Sequence, residues 1–275
     1  SRGNKQMISL LLLPLIACAV LVFIHVYFGA FVLKRGILFI DLALAQWAAL
    51  GYLVGHFLDI QNPYQLFLVG FGFTVIAAFI LSVVKPLFKE SNLQEAVIGV
   101  MYIFAASGAT ALISSTGMEG HNFKSMLSGH LLFIQTQDLI LAISLYSVIG
   151  IILFMFNSKL LNGRSTLSDF AFYTLFGCVV TSSVKMVGIL LVFSFLVLPI
   201  LSIILFVKSI KKQIMIGWGV GIFGSIIGLG CSLILDIPPS LSIVLVLCCN
   251  FAVGVLAYAF VHAVKRVNTQ KLSLE

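Results

Sequence analysis

The strongest constraint in this sequence is its succession of apolar runs, each close to 20 residues long and separated by short segments that carry the basic residues. At 1.5 Å per residue, a helix of about 20 residues crosses the roughly 30 Å hydrocarbon core of a bilayer. Of 275 residues, 61% are hydrophobic and 9% charged, which is more apolar surface than a water-soluble domain of this length can enclose. In lipid the backbone has to satisfy its own hydrogen bonds, and helical runs do so internally. The chain is therefore expected to be an all-α, polytopic transmembrane helical bundle, a single domain over residues 1–275.

Spans are expected at 7–33, 37–58, 64–84, 93–114, 138–156, 168–184, 186–207, 213–235 and 240–264. The first follows Arg2 and Lys5 as a signal peptide would, but its apolar run is too long for one, so it reads as a retained span. Eight spans is the alternative count, with 168–207 as one helix; that helix would be about 60 Å long, twice the hydrocarbon thickness. A break near Ser182, Ser183 and Lys185 is expected instead. The piece 131–134 is too short to span and reads as interfacial or re-entrant.

Loop charge tests the count. With nine spans and the N-terminus outside, Lys34, Arg35, Lys85, Lys89, Lys159, Arg164, Lys208, Lys211, Lys212, Lys265, Arg266 and Lys271 all fall inside. Only Arg2, Lys5, Lys124 and Lys185 remain outside, as the positive-inside rule requires. The same distribution accounts for the net charge of +7 and argues against nucleic acid as a partner, since the cations punctuate membrane spans and form no polar, aromatic-laced face. The five cysteines lie in apolar runs without C-x-x-C spacing, so they are expected to be buried small hydrophobes and not a disulfide or metal framework.

Glycine spacing adds one packing expectation. Gly217, Gly221, Gly224 and Gly228 place small residues along a helix in two G-x-x-x-G steps, which lets helix backbones approach. Gly219, Gly221 and Gly224 also match G-x-G-x-x-G, but no strand precedes them and no acidic residue follows at ribose distance, so no dinucleotide site is expected.

Four stretches taken together resemble the ABC-3 family of zinc, manganese and iron permeases: GAFVLKRGILFIDLALAQWAALG at 29–51, LSGHLLFIQTQDL at 127–139, SDFAFYTLFGCVVTSSVKMVGILLVFSFLVLPI at 168–200 and LDIPPSLSIVL at 235–245. The third is the most specific. The resemblance implies the permease subunit of a type II-like ABC importer in the bacterial cytoplasmic membrane, multi-pass, N-terminus outside and C-terminus cytoplasmic. It also implies a second copy of the chain, two cytoplasmic ATP-binding subunits and an extracytoplasmic substrate-binding protein as partners. The chain carries no G-x-x-x-x-G-K-[ST] loop, so it is expected to be no enzyme and to bind no cofactor of its own, with ATP used by a partner and a divalent transition metal as cargo.

Ionisable groups inside a span are functional candidates because each costs about 2.5–3.5 kcal/mol to insert. Asp41 and Gln46 in the second span are the translocation-pathway candidates. In the resembled family this helix usually carries an acidic residue and a His four positions apart, whereas here Leu42 and Gln46 occupy those positions. Asp41 and Gln46 are five apart, about 140° around a helix, so they form no chelating pair within it. For Asp41 a helix-start role facing the positive end of the dipole is the alternative, and for Gln46 interhelical packing. His56, Asp59, Glu119, His121 and His130 are outer candidates for metal or partner contact, set against a role as solvated loop residues. Lys159, Arg164, Ser165, Thr166, Lys208 and Lys211 are candidates for contact with the ATP-binding subunits, set against ordinary positive-inside loops. His25 is expected to hydrogen-bond within the bundle.

Two other functions compete. A secondary transporter driven by protons or sodium would need a buried carboxylate relay and a structural repeat, and the sequence offers only Asp41, Glu95 and Asp138 near span ends. An intramembrane protease would need an H-E-x-x-H motif or a Ser, His and Asp set, and neither is evident.

Overall fold

The structure is a computed structural model that describes residues 2–87, 91–116, 131–156 and 165–272. Among these, nine α-helices follow in order: α1 (Arg2–Arg35), α2 (Ile40–Phe57), α3 (Pro63–Val84), α4 (Ser91–Thr116), α5 (Thr136–Met155), α6 (Thr166–Val187), α7 (Ile189–Ile204), α8 (Ile210–Leu235) and α9 (Pro239–Leu272). They fall on the nine stretches expected from hydropathy. Seven are long and apolar enough to cross a membrane. The other two, α2 and α7 with 18 and 16 residues, are about 27 and 24 Å long.

The helices pack as two groups. In one, α2 is wedged among α3, α4 and α6; in the other, α1, α7, α8 and α9 pack on each other. The groups meet where Phe28 of α1 lies 4.9 Å from Phe176 and 5.5 Å from Phe172 of α6. α5 is attached more lightly, along one seam of Leu139, Ala142, Tyr146, Ile149 and Leu153 spaced three and four residues apart, with large apolar side chains exposed on its other faces. Such exposure is unsustainable in water and ordinary in lipid. The short 3-10 turn Leu131–Phe133 buries Leu131 and packs on α1 and α9.

Glycines set the closest approaches. A Cβ at Gly217 or Gly221 would collide with Val26 or Val22 of α1, and one at Gly224 or Gly228 with Leu247 or Ile243 of α9. The four glycines thus seat α8 against α1 at one end and α9 at the other, as their spacing predicts. Gly219, the first glycine of the nucleotide-like match, faces open space.

The break between α6 and α7 lies at Gly188, three residues beyond the expected Lys185. Ser182 and Ser183 stay helical because their hydroxyls donate back to the Val179 carbonyl at 2.8 and 2.6 Å. Gly188 sits at φ 84°, where a side chain would strain, and its NH closes α6 by donating to Val184 O. The cysteine expectation is corrected in part. Cys18 is buried and Cys178 and Cys231 are half-buried, but Cys248 and Cys249 are exposed on α9, because they lie away from the side that packs on α7 and α8; all five are free thiols.

Candidate translocation site

Among the described residues α2 is densely enclosed, with 14 of its 18 residues buried. Its sequence explains this: small residues at Ala43, Ala45, Ala48, Ala49, Gly51 and Gly55 let neighbours close in on every side. Gly51 abuts the backbone of Val69 and Gly70 on α3, and Gly55 abuts Leu66. Toward α4, the Trp47 indole donates to Met101 O at 3.1 Å and stacks on Phe104. Toward α6, the Tyr52 hydroxyl donates to Thr181 O at 3.1 Å.

Asp41 lies in the first turn of this helix, 1% exposed, and among the described residues neither carboxylate oxygen has a hydrogen-bond partner. Gln46 is 2% exposed and its Oε1 is likewise unpartnered. At 100° per residue, Asp41 shares a stripe with Ala45, Ala48 and Tyr52, the side that meets α6, whereas Gln46 shares one with Leu42, Ala49 and Leu53. The structure therefore does not bring the two together as a chelate. Both are enclosed by the chain's own helices. Among the described residues no three His, Cys, Asp or Glu side chains cluster as a metal site.

His25 is fully buried in α1, and its Nδ1–H donates to Leu21 O at 2.8 Å; the carbonyl can only accept, which fixes that tautomer. His56 and Asp59 lie at the far end of α2 and are exposed, joined through the backbone, where Asp59 NH donates to His56 O. Glu119, His121, His130, Lys159 and Arg164 lie outside the described residues. Ser165 caps α6, its Oγ accepting from Ser168 NH at 3.2 Å, and Thr166 opens that helix. Lys208, in the connection between α7 and α8, and Lys211, in the first turn of α8, are both exposed.

One polar network was not anticipated. Asp169 of α6 accepts from Arg35 at the end of α1 through Oδ1 at 3.0 Å and from Lys85, just past α3, through Oδ2 at 2.6 Å. The Arg35 guanidinium also lies 4.0 Å above the Phe172 ring. Close by, Glu95 Oε1 of α4 accepts from Leu38 NH in the connection between α1 and α2 at 3.1 Å. The ends of α1 and α3 and the starts of α2, α4 and α6 therefore share one face of the bundle. The charge count already placed Arg35 and Lys85 on one side, and Asp169 opens the span that begins there; that coincidence was the available signal.

An apolar crevice of ≈ 390 Å³ lies elsewhere, between α1, α5 and α8, bordered by Phe23, Tyr27, Tyr146, Gly150 and Trp218. It offers no ligand chemistry. A smaller one of ≈ 20 Å³ lies at the start of α2, among Ile37, Ile40, Lys85, Gln94 and Tyr173.

Against known proteins, residues 7–258 match the model of the family described as the ABC 3 transport family. The chain belongs to the ABC 3 transport family. Among solved structures it is similar to PsaBC from Streptococcus pneumoniae in complex with Fab, with a TM-score of 0.73 and 20% sequence identity, covering 92% of this chain and 93% of that one. No curated protein sequence matches. Membership of the ABC 3 transport family makes this a multi-pass membrane permease of an ABC transporter.

Proposed function

We propose that this chain is the permease subunit of an ABC importer that moves a divalent transition metal, zinc, manganese or iron, across the cytoplasmic membrane. The match to the ABC 3 transport family over 7–258 carries the proposal. Two copies form the transmembrane unit, two ATP-binding subunits dock on the face that holds Arg35, Lys85 and Asp169, and a binding protein delivers the ion to the opposite face. The chain itself hydrolyses nothing and holds no cofactor; energy comes from ATP bound to its partners.

Asp41 supplies the anionic step in this reading. A carboxylate buried without a partner is unfavourable unless something else stabilises it, and a passing cation would do so. Gln46 adds an amide oxygen on another side of α2. Oxygen donors bind transition metals more loosely than imidazole or thiolate, which suits residues an ion must leave as well as reach. Because both residues are enclosed here, transport through them requires the helices around α2 to separate, which is the work assigned to ATP-driven rearrangement.

The test is reconstitution in liposomes with the ATP-binding subunit and the binding protein. Uptake of ⁵⁴Mn²⁺, ⁶⁵Zn²⁺ or ⁵⁵Fe²⁺ that requires interior or exterior ATP on the ATPase side is expected. Uptake by the chain alone, following an imposed proton or sodium gradient, would replace this reading with secondary transport.

A further inference from the structure

The contact between Asp169 and two cations is more than a tie between helices, because of what each cation is attached to. Asp169 lies in the first turn of α6, four residues after the Ser165 cap. Arg35 is the last residue of α1, and only residues 36–39 separate it from α2. That connection turns at Gly36, at φ 69°, and runs directly into Asp41. It is held at two further points, Leu38 NH on Glu95 of α4 and Phe39 stacked 6.4 Å from Phe193 of α7. Lys85 follows the last residue of α3, the helix that packs most extensively against α2.

We infer that Asp169 is a positioning residue for transport: through Arg35 and Lys85 it makes the start of α6, the connection leading into α2 and the end of α3 move as one body. The inference rests on the reading of this face as the one that meets the ATP-binding subunits. Displacement of the start of α6 by a docked partner then shifts both attachments of α2 together. The carboxylate is suited to this because each oxygen holds a different helix end, and the three side chains are only 5%, 10% and 24% exposed for Asp169, Arg35 and Lys85, so water competes weakly. The ≈ 20 Å³ void beside Ile37, Ile40, Lys85 and Tyr173 leaves the connection some room to shift. An amide at 169 would keep the helix and much of the packing but would not hold two cations at once.

The experiment uses the full assembly in proteoliposomes and measures ATP hydrolysis and ⁵⁴Mn²⁺ and ⁶⁵Zn²⁺ uptake on the same preparation. For Asp169→Asn, hydrolysis within twofold of the unmodified assembly and ions moved per ATP lowered at least tenfold are expected. Asp169→Glu is expected to restore the ratio in part, and Lys85→Met, which leaves the Arg35 contact, to lower it less than Asp169→Asn does. An unchanged ratio in Asp169→Asn, or hydrolysis and uptake that fall together with thermal stability in both Asp169→Asn and Lys85→Met, would overturn the inference. If the unmodified chain neither assembles with an ATP-binding subunit nor transports with ATP, the proposed function itself fails, and that failure is read before any variant is compared.

Discussion

The glycine seam of α8 gives the sharpest structural test, because two glycines two residues apart face opposite environments. A Cβ added at Gly228 would lie 2.6 Å from Ile243 Cα and 2.9 Å from Ile243 N, backbone atoms of α9 that cannot rotate away. Carbon atoms prefer about 3.5–4.0 Å, so Gly228→Ala has to push α8 and α9 apart by about 1 Å. Overpacking of this kind costs about 1–3 kcal/mol. The same shift stretches the 2.7 Å bond from the Ser242 hydroxyl to Gly228 O, a further loss of about 0.5–1.5 kcal/mol. Alanine is the better helix former by about 0.8–1.0 kcal/mol, which offsets part of this, leaving a net loss of about 0.5–3.5 kcal/mol. At Gly230 no atom lies within 4 Å, so Gly230→Ala keeps only the propensity gain. Thermal unfolding of both variants in one detergent, followed by size-exclusion recovery, is expected to put Gly228→Ala several degrees below the parent and Gly230→Ala at or above it. Equal or inverted midpoints would refute the assignment of Gly228 to a backbone contact with α9.

Other perturbations follow from the same structure. Tyr146→Phe removes the hydroxyl that meets Ser182 and Ser183 at 2.9 and 2.8 Å, and should destabilise the attachment of α5 by about 1–2 kcal/mol, read as faster hydrogen exchange in α5 than in α2. Gly188→Ala forces a side chain into φ 84° and ψ 161° between α6 and α7, a region that is essentially glycine-only, and should lower the unfolding midpoint by the equivalent of about 1–3 kcal/mol. Asp41→Leu removes a buried carboxylate without partners, so the unfolding midpoint should hold or rise while ATP-dependent metal uptake falls at least tenfold; uptake at the parental rate would remove Asp41 from the pathway.

The fold was legible to the extent that single helices decide it. Run length and basic punctuation located every helix, since each apolar run has to satisfy its backbone alone, and the spacing of Gly217 to Gly228 anticipated the close faces of α8. Helix length required a break between α6 and α7 but not its residue, which lies at Gly188, three residues past Lys185, while Ser182 and Ser183 stay helical with their hydroxyls turned back on Val179 O. The two-group packing and the exposure of Cys248 and Cys249 depend on which face of α9 meets α7 and α8, and a helix apolar on all sides does not announce its inner face. The divergence of Asp41 from Gln46 followed from helical pitch alone. The Arg35, Lys85 and Asp169 contact did not, since it joins residues 84 and 134 positions apart.

Local consistency fails most clearly at α2, and that is where function is placed. Everywhere else the buried polar groups of the bundle largely meet their needs at home, as Thr181, Ser194, Ser202 and Ser225 do by donating to carbonyls one turn back. Asp41 has no such local outlet, and the small residues that crowd α2 leave neighbouring helices, not water, around it. A sequence selected for stability alone would place an apolar residue at 41, and a sequence selected only for a helix start would leave the carboxylate where solvent reaches it. Retaining an unpartnered carboxylate in a densely enclosed helix makes sense if its partner arrives from outside the chain and departs again, and if the groups that frame α2 can be moved to admit it. The connection that leads into Asp41 is anchored on α6 through Arg35, on α4 through Leu38 and on α7 through Phe39, so the unpartnered carboxylate and the residues that tie down its helix are two to six positions apart in sequence.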